Sequence, residues 1–580
     1  MSNLRVGGLA TGMDLESIVK NLMKIEQLKL DKLEQQKTRI QWQQEAYNDI
    51  NKIFANFILD VQKEFGLTKA VSTGFTKQPV SSLNWVKTAM SGDETVLTAS
   101  ARANSVSGTH TIEVERLATG WSAASADQIG SENGLISLGA EEAIDFTING
   151  WRFTTKTIEE LGGIEQVDLE KYIHISHNDG KVSLSEVANA INKAGIGITA
   201  HYDSAIDRFF LQTAGTGSER KIEIEDNSVL AGERAFIADN AEKKALLNLQ
   251  GKVAELNVDE ETGESVIVEK FVAVVSGENY QGQDAIVHFG AARNLKFSSN
   301  QFTLNNIDFT IKGVGTTTVT VDTDVDGVYD KIVDFVARYN LLIDKVNNLL
   351  TEKVYRDYQP LTKEQREAMS EKEIELWEEK AKSGLLNRDI YLSQTLQRIR
   401  SGLYEGVTGP SKKEHHIYNF GISTESYVAG SMGGKLVIDE TKLKEAIRND
   451  VDAVLELLFA QPDTSVSEGE ARAHTGLVSR IFQDLTEGMK QIINKAGYGG
   501  DAELYRKVDS RMLLDFVVEQ GSISFLQRDL SRLDERIYNF QAQMLRKENQ
   551  YWSQFTALEK AINQMNARAA WLAQQLGGGW

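Results

Sequence analysis

Residues 523–576 read ISFLQRDLSRLDERIYNFQAQMLRKENQYWSQFTALEKAINQMNARAAWLAQQL, and their spacing decides the architecture. Ile523, Leu530, Ile537, Met544, Tyr551, Leu558, Met565 and Leu572 recur every seven residues, the period of a helix that lays one apolar stripe against a partner. A second apolar row lies three residues on at first (Leu526, Leu533, Phe540) and four residues on later (Phe555, Ile562, Ala569, Leu576). That change of phase near Lys547 is what a four-residue stutter produces. The reading is one helix from about 522 to 576, roughly 80 Å long if unbroken.

The N-terminal end repeats the design with Leu33, Ile40, Tyr47, Phe54 and Val61 at sevens, and Ile50 and Phe57 beside them. Asp14 is placed to cap this helix, and Leu15, Ile18, Val19, Leu22 and Ile25 form an earlier stripe. The four prolines (Pro79, Pro360, Pro410, Pro462) all avoid the two terminal segments, so nothing there interrupts a helix. Stripes this narrow on helices this long need partners, either other helices of the same chain in a bundle or further copies.

Between about 70 and 320 the period becomes strand-like. Asp145-Phe146-Thr147-Ile148-Asn149-Gly150-Trp151-Arg152-Phe153 alternates around Asn149-Gly150, a hairpin signal because both turn positions favour positive φ. Ser183-x-x-Glu186 reads as a capping box opening a short helix that Gly195 stops. Strands are expected at 196–202, 208–213 and 221–225, and a second hairpin pattern recurs at 302–311. From about Val328 the helical period returns, with one long helix through Leu350 and another opened by Ser370-x-x-Glu373. The expected fold class is therefore α+β and multidomain: long paired N- and C-terminal helices in a coiled-coil-like stalk, a helical core domain, and β-rich head lobes inserted in the middle. The expected divisions are a helical leg at 1–65, a β-rich head at 66–325 with two nested lobes (one including about 106–235), a mainly helical core at 326–515, and a leg at 516–580 that pairs with 1–65.

Composition bounds the function. The chain has 580 residues, a net charge of −20 and no cysteine. The sign argues against a partner recognised through phosphates, so no nucleic acid is expected. Without cysteine there is no disulfide, thiolate zinc site or thiol nucleophile. Residues 1–65 hold nine basic and nine acidic side chains and residues 523–576 seven and five, so the ends are near neutral and the middle carries the acidic excess. Near-neutral ends can approach one another without a large Coulomb penalty. The opening Met1-Ser2-Asn3-Leu4-Arg5-Val6-Gly7-Gly8 lacks the features of a cleaved signal, and no apolar run approaches membrane-spanning length, so the expectation is a chain that does not insert in a membrane and is cytoplasmic or exported without a cleaved signal.

Candidate chemical motifs are incomplete. Asp322-x-Asp324-x-Asp326-Gly327 begins like a calcium loop, but the twelfth position, which should be Glu, is Val333. Gly430-Ser431-Met432-Gly433-Gly434-Lys435 lacks the first glycine and the Ser/Thr of a phosphate loop. His415-His416, as neighbours on a strand, would point to opposite faces. No catalytic, cofactor-binding or metal-binding residue is assigned, and the chain is read as non-enzymatic.

Gly8-Leu9-Ala10-Thr11-Gly12-Met13-Asp14, the following Ile18-Val19-x-x-Leu22-Met23, and the closing Tyr551-Trp552-x-x-Phe555 with Trp571-Leu572-Ala573-Gln574-Gln575-Leu576 closely resemble the two ends of the bacterial flagellar filament cap proteins, the flagellar hook-associated protein 2 family. Phe335-Val336-x-x-Tyr339-Asn340, Phe420-Gly421-Ile422-x-Thr424 and Gly434-Lys435-Leu436 are similar to that family's core. The signature residues are Gly8, Leu9, Gly12, Asp14, Trp552, Phe555 and Trp571. The resemblance implies a secreted protein of the flagellar tip, handled by an export chaperone, that closes into a homo-oligomeric ring and helps exported flagellin fold and insert. A hook–filament junction protein, or a surface adhesin that binds mucus or glycans, is the alternative.

Overall fold

The computed structural model describes residues 14–71, 74–163, 168–231, 235–237, 245–258, 265–425, 433–463, 465–467, 469–497 and 524–576. The chain divides into two units, Met1–Val80 with Val325–Trp580, and Ser81–Asp324.

The first unit is mainly helical, with three two-stranded sheets among its described residues. Helix α1, Leu15–Glu64, starts where the Asp14 carboxylate accepts the Ser17 N–H at 3.0 Å, satisfying one of the amides a helix start leaves unpaired. Numbering all helices along the chain, α2 (Leu184–Lys193) lies in the second unit. The first unit continues with α3 (Val325–Thr351), α4 (Lys363–Glu367), α5 (Glu371–Lys382), α6 (Ile390–Tyr404), α7 (Glu440–Asn449), α8 (Val451–Phe459), α9 (Leu477–Ala496) and α10 (Phe525–Leu576). Helix α10 is continuous over 52 residues, so the phase change near Lys547 is absorbed without a break. Both Thr362/Gln365 and Ser370/Glu373 form reciprocal capping boxes, which is why two short polar helices hold their starts.

The C-terminal half of α1 is core. Phe57 packs on Phe335 of α3 and Phe482 of α9, and Phe65, just past the helix end, packs edge-on against Phe459 of α8. Helices α6 and α9 meet at Gly488, where an added Cβ would lie 2.5 Å from Thr395 Oγ1 and 2.8 Å from its Cγ2. Thr395 is fully buried and its hydroxyl donates to the Tyr391 carbonyl at 2.8 Å, so it has little freedom to move aside. Gly488→Ala is therefore expected to lower stability by about 1–3 kcal/mol through overpacking. That reverses the gain of about 1 kcal/mol that the same exchange brings in an open helix. The urea midpoint of the helical unit reads the sign.

The second unit holds two apolar cores. One is built on the antiparallel five-stranded sheet of Lys87–Ser91, Gly315–Thr323, Gly108–Arg116, Ala285–Phe289 and Ala292–Phe297, with the three strands Leu97–Ala101, Ile307–Ile311 and Gln301–Leu304 against it. Ile112, Val287, Phe309 and Val319 are its buried members. The other core, inserted between Arg116 and Ala285, gathers Trp121, Phe146, Phe153, Val187, Phe209 and Phe236. Its hairpin Asp145–Ile148/Trp151–Thr154 turns at Asn149 (φ 51°) and Gly150 (φ 76°), and the 302–311 hairpin turns likewise at Asn305 and Asn306.

One expectation needs correction. Ser183 precedes α2 but its side chain makes no capping hydrogen bond, so the expected capping box is not formed. Ser183 instead ends the strand Lys181–Ser183, paired with Leu135–Ser137, and the first helical amide, Leu184 N, is satisfied by the Gly134 carbonyl. Gly195, at φ 64°, does follow the helix end.

Candidate assembly surface on the terminal helices

Two ion pairs set α1 against α10. Lys37 reaches Asp534 at 2.6 Å, and Lys547 reaches Glu26 at 2.8 Å. As one number rises the other falls, so the helices are antiparallel, and at equal rise per residue Leu15 lies level with roughly residue 557. The last five turns or so of α10 run past that level.

Glu26 is buried on α1, with Lys547 donating to it across the seam and Lys29 at 3.2 Å beside it. The Lys547 hydrogen bond, more than Lys29, holds the Glu26 carboxyl below the usual carboxylate range. A carboxyl lowered in the fold contributes stability above its unfolded pKa and loses it as pH falls through the folded one, so this clasp weakens only in acid. Further along α1, Gln44 Nε2 donates to the Ala496 carbonyl at 2.5 Å, Gln43 to Leu385 and Gln35 to Pro360. These glutamines tie α1 to the end of α9 and to the segments around Leu385 and Pro360, and heptad counting gives no sign of them.

The heptad residues fall into three groups. Tyr47, Phe54 and Val61 are buried in the helical core, and the Tyr47 hydroxyl donates to Asp389, with burial first and that carboxylate second raising its pKa. Leu33 and Ile40 on α1, with Ile537, Met544, Tyr551, Trp552 and Phe555 on α10, are half-buried, and Leu530 is buried. Leu558, Met565, Trp571 and Leu572 are exposed at 44, 67, 59 and 51%, as are Ile25 and Leu28 on α1 at 61 and 56%. Ile523, Gly8, Leu9 and Gly12 lie outside the described residues.

Gly430, Ser431 and Met432 lie outside the described residues, and charged members of the other motifs are engaged within the chain. Asp326 holds Lys444 at 2.9 Å while Asp322 is in the strand Gly315–Thr323, and Lys435 lies 3.4 Å from Asp344 and 3.5 Å from Glu425. His415 meets Glu456 at 3.2 Å, and His416 lies 3.5 Å from Glu414. Among the described residues no group of three or more His, Cys, Asp or Glu is placed to hold a metal ion, and no helix is long and apolar enough to cross a membrane.

The chain matches two family models, flagellar hook-associated protein 2 N-terminus over residues 11–120 and flagellar hook-associated protein 2 C-terminus over residues 282–567. It is 30% identical to the flagellar hook-associated protein 2 of Halalkalibacterium halodurans, over 98% of this chain and 99% of that one. It is 22% identical to the protein of the same name from Thermotoga maritima, over 100% and 96%. Among solved structures, the D1–D2–D3 domains of the Escherichia coli flagellar cap protein align with 76% of this chain and 96% of theirs, at 18% identity and a TM-score of 0.44. With both end models and a full-length relative in agreement, the chain belongs to the flagellar hook-associated protein 2 family.

Proposed function

We propose that the protein caps the distal tip of a bacterial flagellar filament as a closed homo-oligomeric ring, where it promotes folding and insertion of exported flagellin and prevents its loss. It is a structural protein and not an enzyme. Its place at the filament tip requires export, and an export chaperone is the expected partner before assembly. The observation that carries the reading is the family match at both ends, combined with an α10 stripe that stays apolar where α1 no longer covers it. An apolar row left bare on a long helix is stabilised by a neighbouring chain. A ring needs a head-to-tail interface that closes on itself, and a copy number different from the filament's subunits per turn would leave an insertion gap at each step.

The test is deletion of the gene in its host, with electron microscopy of the cells and assay of the medium. Bare hooks with monomeric flagellin in the medium are expected. Filaments of normal length would reject the reading.

A further inference from the structure

The helical unit carries a second feature, away from the α1–α10 seam. Between Arg39 on α1 and the 354–385 excursion lies a cleft of about 420 Å³, within the range of small ligand pockets. Its walls include Arg39, Tyr355, Arg356, Tyr358, Gln359 and Leu385. We propose that this cleft is a docking site for a carboxylate-bearing peptide segment of another protein chain.

Charge is the first argument. In a chain of net charge −20, neither the Arg39 nor the Arg356 guanidinium has an ion pair or hydrogen bond among the described residues. Two lysines lie against tyrosines that line the cleft: Lys353 Nζ is 4.7 Å from the centre of the Tyr355 ring, and Lys380 Nζ is 4.8 Å from that of Tyr358 while donating to its hydroxyl at 3.3 Å. Of the carboxylates on the excursion, Glu352 is engaged by the Gly384 N–H at 2.7 Å and Glu378 by Arg366, while Asp357 makes no ion pair with either arginine among the described residues. A guanidinium is a planar fork that takes a carboxylate through two parallel hydrogen bonds, and Arg39 and Arg356 offer two such forks.

The rim is rigid. Gln35 Nε2 donates to the Pro360 carbonyl at 2.7 Å, Trp377 Nε1 to the Gln359 carbonyl at 2.8 Å, and Ser383 Oγ to the Lys353 carbonyl at 2.7 Å. The Gln359 side chain donates to the Arg356 carbonyl at 2.7 Å. A site held in place this way gives up little entropy on binding. The same bonds select the ligand class. The carbonyls of Lys353, Arg356, Gln359 and Pro360 already accept hydrogen bonds, so the hydroxyls of an acidic sugar would find few partners there, whereas Val354 and Leu385 suit apolar residues flanking a Glu or Asp. A bare inorganic anion would leave those apolar walls unused.

The test is calorimetric titration of the full chain with a short acetylated peptide alternating Glu and Leu, beside its Gln-for-Glu analogue, sodium phosphate and polygalacturonate. Saturable binding of the Glu peptide alone is expected, weakening as salt is raised. The double variant Arg39→Gln/Arg356→Gln should weaken it about 10-fold or more, the loss of one strong charge-assisted contact. Arg39→Lys/Arg356→Lys, which keeps the charge but not the fork, should fall between. Circular dichroism confirms that the variants fold, as expected for exposed positions. Binding of the Glu peptide unchanged in the double variant, equal affinity for phosphate, or tighter binding of polygalacturonate would each overturn the proposal.

Discussion

Arg480→Ala is expected to destabilise the helical unit by about 3–5 kcal/mol, because it leaves several buried carbonyls without donors and opens a large cavity. Arg480 is 1% exposed, on α9, and all five of its N–H groups are directed at main-chain carbonyls. Nε donates to Arg472 at 2.9 Å, Nη1 to Gly402 at 3.0 Å and Glu405 at 2.8 Å, and Nη2 to Gly406 at 2.6 Å and Ala473 at 3.3 Å. One side chain thus pins the last turn of α6 and the residues just after it to the segment before α9. Burial lowers its pKa, but a guanidinium remains charged at any physiological pH. The nearest balancing charges are Glu405 and Asp484, both held by Arg472 at 2.9 and 3.0 Å. Arg480→Lys keeps the charge but has three donors in a different geometry, so it should restore less than half of the loss. Amide hydrogen exchange at 402–408 and 471–476, compared with α3, locates the effect. A loss under about 1 kcal/mol would mean that water replaces the guanidinium at little cost.

Periodicity made the fold legible wherever a residue's environment follows from its neighbours along the chain. The helix α10, the Asn149-Gly150 turn and the Asp14 and Ser370 caps all depend on spacings of seven residues or fewer, and each is found where the spacing places it. Arg480 could not be found this way. Its partners lie on two segments, one of them more than seventy residues earlier, and an arginine at that spacing reads as one more solvated charge. The same limit applies to Glu26, whose burial depends on a lysine on another helix, and to Ser183, where strand pairing supplies the bond that a local pattern assigned to a cap. The heptad stripe of α1 does not have one environment: Phe54 and Val61 are buried in the core, while Leu33 and Ile40 are half-buried. A stripe specifies that a face is apolar, not what covers it.

The stripe of α10 is where that distinction becomes a test. Leu558→Ser, Met565→Ser and Leu572→Ser together should leave the isolated chain folded, because 44, 67 and 51% of these side chains are already in water. Capping should fail nonetheless. Burying a large aliphatic side chain completely is worth about 1.5–3 kcal/mol. With roughly half of each side chain still to be covered, the three together forgo roughly 3–4 kcal/mol, or about two to three powers of ten in association. Complementation of a deletion strain reads this directly, as flagellin lost to the medium. A control triple on the opposite side of the helix, Lys560→Ser, Asn563→Ser and Gln574→Ser, should restore filaments, because it removes charge and amide groups but no apolar area. If the apolar triple restores filaments as well, this part of α10 is not an assembly surface, and the proposed ring would have to be held by other contacts. If both triples fail while the chain stays folded, the whole circumference of the helix is engaged, as for a helix enclosed by partners on every side rather than laid along one.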